Sequence, residues 1–216
     1  MNVLVYVEGP SDKYALPALL RPIVEAGARK RVGIQFIPTN GKELLLTNVA
    51  RKAADHLSEH PADWVFALPD LYPMAHFHGT SSQHHSLAEL RKVIDRDFKR
   101  FATELKLSAD VRGHFRVHCL KHDLEALLLA AVAQLRSRLK TGDHLSSAWK
   151  LPVEDQNDSN PPKRIVEVLF SRYLKRDYQD TVDAPWILGR ASLDEVLKAC
   201  PQCFAPFVKD LRPLVS

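Results

Sequence analysis

Apolar runs alternate with amphipathic segments along the first part of the chain. Residues 3–7 (VLVYV) are apolar at every position and end at Glu8, after which Gly-Pro-Ser-Asp follows. This order predicts a buried strand, a tight turn and the capped start of a helix. Apolar runs at 33–38, 64–68 and 115–120 predict three further strands. The alternation predicts an α/β fold with a mainly parallel four-stranded sheet flanked by helices.

Helical spacing of apolar residues predicts helices over residues 12–26, 43–60 and 87–107, and a long helix from residue 124. Two prolines, Pro17 and Pro22, interrupt the first of these segments. Polar residues dominate between 140 and 160, and a further helix over 161–178 begins with two prolines. We therefore expect an α/β domain over residues 1–140 and a helical C-terminal extension over residues 141–216, packed on it.

Carboxylates stand at the ends of two predicted strands. Glu8 ends the first strand, Asp12 lies in the first turn of the next helix, and Asp70 ends the third strand. The carboxyl ends of parallel strands share one edge of a sheet, where functional crevices lie. Carboxylate oxygens suit Mg2+, so we expect these three acids to bind a divalent cation. The alternative is structural: a solvated acid at a strand end, and a helix capped by Ser11 or Asp12.

Polar residues also follow the fourth predicted strand, in the sequence HDLE at 122–125. Glu125 is a candidate fourth acid of the site. A salt bridge to Lys121 or Arg164 would explain it equally well, because structural ion pairs also perturb acids. Asp123 is a candidate helix cap or a further acid of the same site.

Basic side chains at predicted helix starts are candidate contacts to substrate phosphates. Lys13 directly follows Asp12, whereas Lys163 and Arg164 begin a helix after two prolines. For the latter pair, a solvent-facing helix start is an equally good explanation.

The segment over residues 71–86 has no helical or strand periodicity and is rich in histidine. The histidines are His76, His78, His84 and His85. We interpret it as a mobile loop facing the substrate, in preference to a zinc site, because this spacing in an irregular segment is a weak zinc signal.

Composition sets limits without indicating a function. The 216 residues are 45% hydrophobic and 26% charged, which is ordinary for a globular chain. The net charge of +4 is compatible with a polyanionic partner and equally with plain solubility. Three cysteines argue against a disulfide framework. No apolar run reaches the length of a membrane span, and the chain starts directly with a strand, so we expect a cytoplasmic protein.

The acidic strand ends resemble those of a known fold. Glu8-Gly9 after the first strand and Asp70 after the third resemble the Toprim fold of topoisomerases, primases and overcoming-lysogenization-defect-type nucleases. More closely, five motifs in order along the chain resemble a bacterial Toprim-like family of unknown function, often encoded beside an ABC/AAA-type ATPase. These motifs are VEGPSD (7–12), DLY (70–72), HDLEALL (122–128), PKRI (162–165) and ACP (199–201).

The resemblance implies hydrolysis of phosphodiester bonds in DNA or RNA with Mg2+ or Mn2+, as the effector of an ATPase-partnered phage-defence system. In Toprim enzymes the first-strand glutamate, here Glu8, is a metal ligand or acid/base, and third-strand aspartates hold the metal. The usual Asp-x-Asp reads Asp70-Leu71-Tyr72 here, so one carboxylate is missing and Asp123 or Glu125 is the candidate replacement. The alternative function is a non-catalytic Toprim-like subunit that binds an ABC/AAA-type ATPase and nucleic acid.

Overall fold

Four parallel strands form a single sheet in the described part of the chain. The computed structural model describes residues 1–72, 83–145, 149–156 and 159–216. The strands are β1 (Asn2–Val7), β2 (Gly33–Pro38), β3 (Trp64–Leu68) and β4 (Phe115–Val117). They pair in the order β2-β1-β3-β4, and every pairing is parallel. The predicted α/β class with a parallel four-stranded sheet is confirmed.

Helices connect the strands and continue after the sheet. Those before β4 are α1 (Pro10–Leu19), α2 (Arg21–Arg29), α3 (Lys42–Glu59), α4 (Leu87–Glu104) and α5 (Ala109–Arg112). Those after β4 are α6 (Glu125–Ala130), α7 (Val132–Leu139), α8 (Pro162–Leu174), α9 (Asp180–Leu188), α10 (Leu193–Ala199) and α11 (Phe204–Leu211). The helix predicted over 161–178 is α8, and it ends earlier than predicted, at Leu174. The next residue, Lys175, adopts a left-handed conformation with φ of 55°.

Two helices predicted as continuous are broken. The segment at 12–26 divides at Leu20 because Pro22 has no N–H for a bond to the preceding turn, and α2 restarts with this proline in its first turn. The helix predicted from residue 124 divides at Ala131, whose φ and ψ of −86° and 53° are not helical. Apolar spacing continues across Ala131, which is why the pattern predicted a single helix.

The fourth strand is shorter than the predicted segment 115–120. His118 N–H still donates to Ala67 O at 2.9 Å, and Leu120 N–H donates to Pro69 O at 3.0 Å. Regular parallel pairing would place another hydrogen bond between these two. Its donor would be the backbone N–H of Pro69, which proline lacks. Pairing resumes as a single bridge between Asp70 and Leu120, so the chain after β3 stays fixed to the chain after β4.

The sheet separates two hydrophobic cores because successive side chains of a strand point to opposite faces. Val3, Val5 and Val7 of β1 face a core shared with α1, α2 and the helices from α6 to α11. Leu4 and Tyr6 face the second core, formed with α3 and α4. Both faces of the sheet are thus covered, as its continuous apolar strands require.

The C-terminal helices belong to the first of these cores. Phe207 of α11 packs edge-on against Phe66 of β3, with ring centroids 5.7 Å apart. Glu154, in the polar connector, is 2% exposed and accepts backbone N–H bonds from Cys203 at 2.8 Å and Phe204 at 3.2 Å. This carboxylate fixes the start of α11. The division into residues 1–140 and 141–216 stays a prediction.

Other parts of the sequence analysis have mixed outcomes. All three cysteines are free and buried. Among the described helices, none is long and apolar enough to cross a membrane. The interpretation of residues 71–86 as a substrate-facing loop falls mostly on residues 73–82, which lie outside the described residues. Of its histidines that are described, His84 is buried and His85 is exposed.

Candidate functional site

The carboxyl ends of β1 and β3 lie side by side in the centre of the sheet. β2 lies on one side of β1, and β3 lies on the other side. The ends of β1 and β3 are therefore at the position where the strand order reverses. The backbone N–H of Asp70 donates to Oε1 of Glu8 at 2.9 Å. The two acids predicted to share an edge are therefore joined directly by a hydrogen bond.

Asp12 is held close to the same strand end by its own helix. Its Oδ2 accepts the backbone N–H of Gly9 at 2.9 Å, so the carboxylate folds back over the start of α1. The capping role considered from the sequence is thus present. The capping bond also fixes the side chain at the end of β1, where it lines the same cleft as Glu8 and Asp70.

The motif after β4 brings two more acids to this edge. The backbone N–H of Lys163, at the start of α8, donates to the Asp123 carboxylate, while Oδ1 of Asp123 is buried without a hydrogen-bond partner. Glu125 is 3% exposed and lies against Tyr178. The salt bridge from Lys121 to Glu125 is not formed, because Lys121 Nζ bonds Asp155 at 3.1 Å.

These acids surround a cleft of about 280 Å³. Within the described ranges, its lining includes the carboxylates of Glu8, Asp12, Asp70, Asp123, Glu125 and Asp180, together with Lys163. Of the three predicted phosphate contacts, Lys163 is therefore at the cleft. Lys13 and Arg164 are exposed but are not part of the lining.

Asp180 is a lining residue that sequence reasoning missed. It is the first residue of α9, where an acid has the ordinary explanation of a favourable charge at a helix start. The helix is fixed by Asp183, which is fully buried and bonded to Arg138 and Arg176 at 2.6 and 2.7 Å. Only the tertiary packing of α9 beside α1 brings Asp180 to the strand ends.

Helix N-termini converge on the cleft. The first turns of α1, α8 and α9 contribute Asp12, Lys163 and Asp180 to its lining, and Gly41, which precedes α3, also lines it. The positive ends of these helix dipoles stabilise carboxylates. The same positive ends also favour phosphate.

Crowding and burial change the proton affinity of the acids. Burial raises the pKa of Glu8 to about 7, against the opposing effects of the Asp70 hydrogen bond and the charge of Lys42. Burial, with Glu125 nearby, raises the pKa of Asp123 to about 8. The pKa of Asp70 lies well above its usual range because the group is buried beside Glu8 and other acids. Such shifts mark a cleft whose negative charge lacks sufficient compensation.

The donor set suits a hard divalent cation, although the side chains are not arranged as a finished site. In the described part of the chain, no group of three His, Cys, Asp or Glu side chains is placed to hold a metal ion as it stands. The lining acids nevertheless supply only oxygen donors, and Asp123 has a buried oxygen that no hydrogen bond satisfies. This chemistry fits Mg2+ or Mn2+.

The position of the missing Asp-x-Asp carboxylate is occupied by Tyr72. Its ring stacks on His122 with centroids 5.1 Å apart, and it packs against the second hydrophobic core. Tyr72 is not part of the cleft lining. Tyr72 is therefore a core or positioning residue, while Asp123 and Glu125 reach the cleft instead.

The fold and its acidic strand ends define a Toprim-like α/β protein. The chain belongs to the family described as a domain of unknown function, DUF4276, whose model matches residues 7–212. The expected resemblance to a Toprim-like family of unknown function is thereby confirmed. Among curated proteins, no sequence matches this chain.

Solved structures with a similar fold come from OLD proteins. The C-terminal region of the Burkholderia pseudomallei OLD protein is 16% identical, with a TM-score of 0.51, and the alignment covers 99% of this chain and 98% of that one. The C-terminal region of the Xanthomonas campestris pv. campestris OLD protein is also 16% identical, with a TM-score of 0.47 and coverage of 99% and 95%. At this identity the first likeness indicates the fold alone.

Proposed function

We propose that the protein is a Mg2+- or Mn2+-dependent Toprim-like nuclease that hydrolyses phosphodiester bonds in DNA or RNA. The observation that carries this proposal is the set of carboxylates around the ends of β1 and β3, with Lys163 beside them. Acids from distant parts of the chain meet in one cleft, although like charges oppose such an arrangement. A cation that binds there offsets this repulsion.

In this proposal Glu8, Asp12 and Asp70 hold the cation, and Glu125 belongs to the same catalytic set. Held by these residues, a divalent cation would supply Lewis-acid polarisation of a phosphate and activation of water. The hydrogen bond from Asp70 N–H keeps the Glu8 carboxylate at the strand ends.

Lys163 is the proposed contact to the scissile phosphate. Its side chain is exposed at the cleft, and its backbone lies in the first turn of the 13-residue helix α8. Both the ammonium group and the helix N-terminus favour an anion. Lys13 and Arg164 lie outside the lining, so we assign them to phosphates that flank the cleavage position.

Substitution of the strand-end acids tests the nuclease. Glu8→Gln and Asp70→Asn should each lower Mg2+- or Mn2+-dependent cleavage of mixed DNA and RNA substrates by about 100-fold or more, the usual cost of losing a key electrostatic group. Glu43→Gln is the matched control, because Glu43 is an exposed carboxylate in the first turn of α3. Full activity in Glu8→Gln would show that the site assignment is wrong.

A non-catalytic Toprim-like subunit is the second candidate, favoured by Tyr72 in place of the second aspartate. In that case the protein would bind an ABC/AAA-type ATPase and nucleic acid, and it would not cleave the nucleic acid. The partner and the role in phage defence come from the family resemblance, whereas the cytoplasmic setting is an expectation from the sequence. Assays with and without the neighbouring ATPase separate the candidates: absence of both cleavage and metal binding under every condition would favour the subunit.

A further inference from the structure

Lys42 is a buried cation directly behind the proposed site, and sequence reasoning missed it. It is the first residue of α3 and only 9% exposed. A lysine is rarely buried to this extent unless its charge is compensated. Its Nζ donates to the carbonyl oxygen of Leu71 at 2.9 Å.

The turn before α3 directs this lysine inward. Asn40 and Gly41 both have positive φ, 62° and 119°, and the N–H of Gly41 donates to the carbonyl oxygen of Glu8 at 2.8 Å. The turn is therefore attached to the end of β1. As a result α3 starts beneath the sheet edge, and its first side chain extends toward the residues that follow β3.

Lys42 and Glu8 bind the same two-residue segment. The Glu8 carboxylate accepts the N–H of Asp70, and the Lys42 ammonium group donates to the carbonyl of the next residue, Leu71. Two opposite charges from β1 and α3 are thus fixed at adjacent backbone groups. The Asp70 side chain belongs to this same segment.

We propose that Lys42 is a positioning residue of the acidic site, the internal cation that allows the Glu8 and Asp70 carboxylates to stand side by side at the strand ends. This proposal depends on the proposed function, which makes the acidic cleft a metal site. It does not make Lys42 a catalytic residue, because Lys42 is absent from the lining of the cleft. Among the described residues, the acids that act on its charge include Glu8 at the end of β1 and Asp70 after β3, and the Cys119 thiol after β4 also acts on it.

Electrostatics supports this assignment. Burial lowers the pKa of Lys42, while Glu8 and Asp70 act in the opposite direction. Reciprocally, the charge of Lys42 opposes the rise in the pKa of Glu8. Removing the ammonium group would leave the carboxylates with like-charge repulsion that a bound divalent cation can relieve.

A double-mutant cycle in metal chelator tests the proposal without any assay of hydrolysis. Lys42→Met keeps the aliphatic stem and removes the charge, and it is combined with Glu8→Gln. If the two charges interact, the loss of melting temperature in the double variant should be smaller than the sum of the single losses by about 3 °C or more. Additive losses would overturn the proposal.

Further variants separate the charge from the hydrogen bond. Lys42→Arg keeps the charge and should keep the coupling to Glu8, whereas Lys42→Gln keeps a donor but should lose the coupling. If Lys42→Met does not fold, the cycle is measured with Lys42→Gln. Lys52→Met is the matched control, since Lys52 is exposed on the same helix and should show no coupling.

The response to Mn2+ provides a readout that simple packing would not change. Saturating Mn2+ should raise the melting temperature of Lys42→Met more than that of the wild type, because the ion supplies the missing positive charge. Equal increments would count against Lys42 as the internal cation. If Mn2+ has no effect on the wild type, the metal site of the proposed nuclease fails, and the cycle in chelator still decides the role of Lys42.

Discussion

Individual acids in the cleft bind protons more tightly in the folded protein than in the unfolded chain. Burial is the main cause for Glu8, Asp12 and Asp123, whose pKa values rise to about 7, 6 and 8. Unfolding releases these protons in the range between the ordinary values near 4 and the raised ones. The metal-free protein is therefore most stable, as far as these groups are concerned, at the acidic end of this range.

This proton uptake predicts a pH dependence of stability. The melting temperature in chelator should fall as the pH rises from about 5 to about 8, because the folded state loses protons that the unfolded state has already lost. Asp123→Asn, which retains an acceptor for the N–H of Lys163, should flatten the profile, and so should added Mg2+. Asp194→Asn on the exposed surface should leave it unchanged. A melting temperature that rises across this range would contradict the assignment.

At the scale of elements, short polar anchors fix the helices that complete the cleft. Asp183 holds α9 through two arginines, and Asp180 lies one turn earlier on the same helix. Glu154 holds the start of α11 through three backbone N–H groups, those of Gln202, Cys203 and Phe204. Both acids are buried, so their bonds are not screened by solvent.

The Glu154 anchor gives a stability prediction. Glu154→Ala should lower the free energy of unfolding by about 2–4 kcal/mol, because several buried N–H groups lose a charged acceptor. Asp155→Ala is the neighbouring control: that carboxylate is exposed and pairs with Lys121, and its loss should cost less than about 1 kcal/mol. Denaturant unfolding of both variants provides the comparison. Equal losses would show that the buried hydrogen bonds at α11 stabilise the fold no more than the exposed pair of Asp155 and Lys121.

Local sequence patterns carried much of the element-level description and part of the site. The apolar run before Glu8 and the run before Asp70 were sufficient to place both acids at one sheet edge, because parallel pairing brings strand ends together. Asp180 and Lys42 could not be found in this way. Each looks like an ordinary charged residue in the first turn of a helix, and its role depends on which elements pack next to it.

Over the whole molecule, the C-terminal helices complete the cover on the first face of the sheet. Val5 and Phe66 share a core with Phe170 and Phe207, so this core extends across the proposed boundary at residue 140. Most residues of the second core, by contrast, come from the part of the sequence between β1 and β4. Among the described residues, Cys203 is its member from the C-terminal part.

A fragment of residues 1–140 should therefore fail to fold cooperatively. It would leave part of the first face of the sheet exposed to water, including the side of Phe66 that packs against Phe207, which is unfavourable by about 25 cal/mol per Å² of apolar surface. We expect a broad denaturant transition and binding of a hydrophobic dye, measured against the full chain as the control. A sharp transition in the fragment would instead establish 1–140 as an autonomous domain.

The cleft draws its residues from almost the whole length of the polypeptide. A growing chain that has reached Val117 contains all four of the described strands, yet it still lacks Asp123, Lys163 and Asp180. Since synthesis proceeds from the N-terminus, all of these strands are made before the residues that complete the cleft. For a protein that we propose cuts nucleic acid, this order of assembly delays the appearance of activity until α9 has been synthesised.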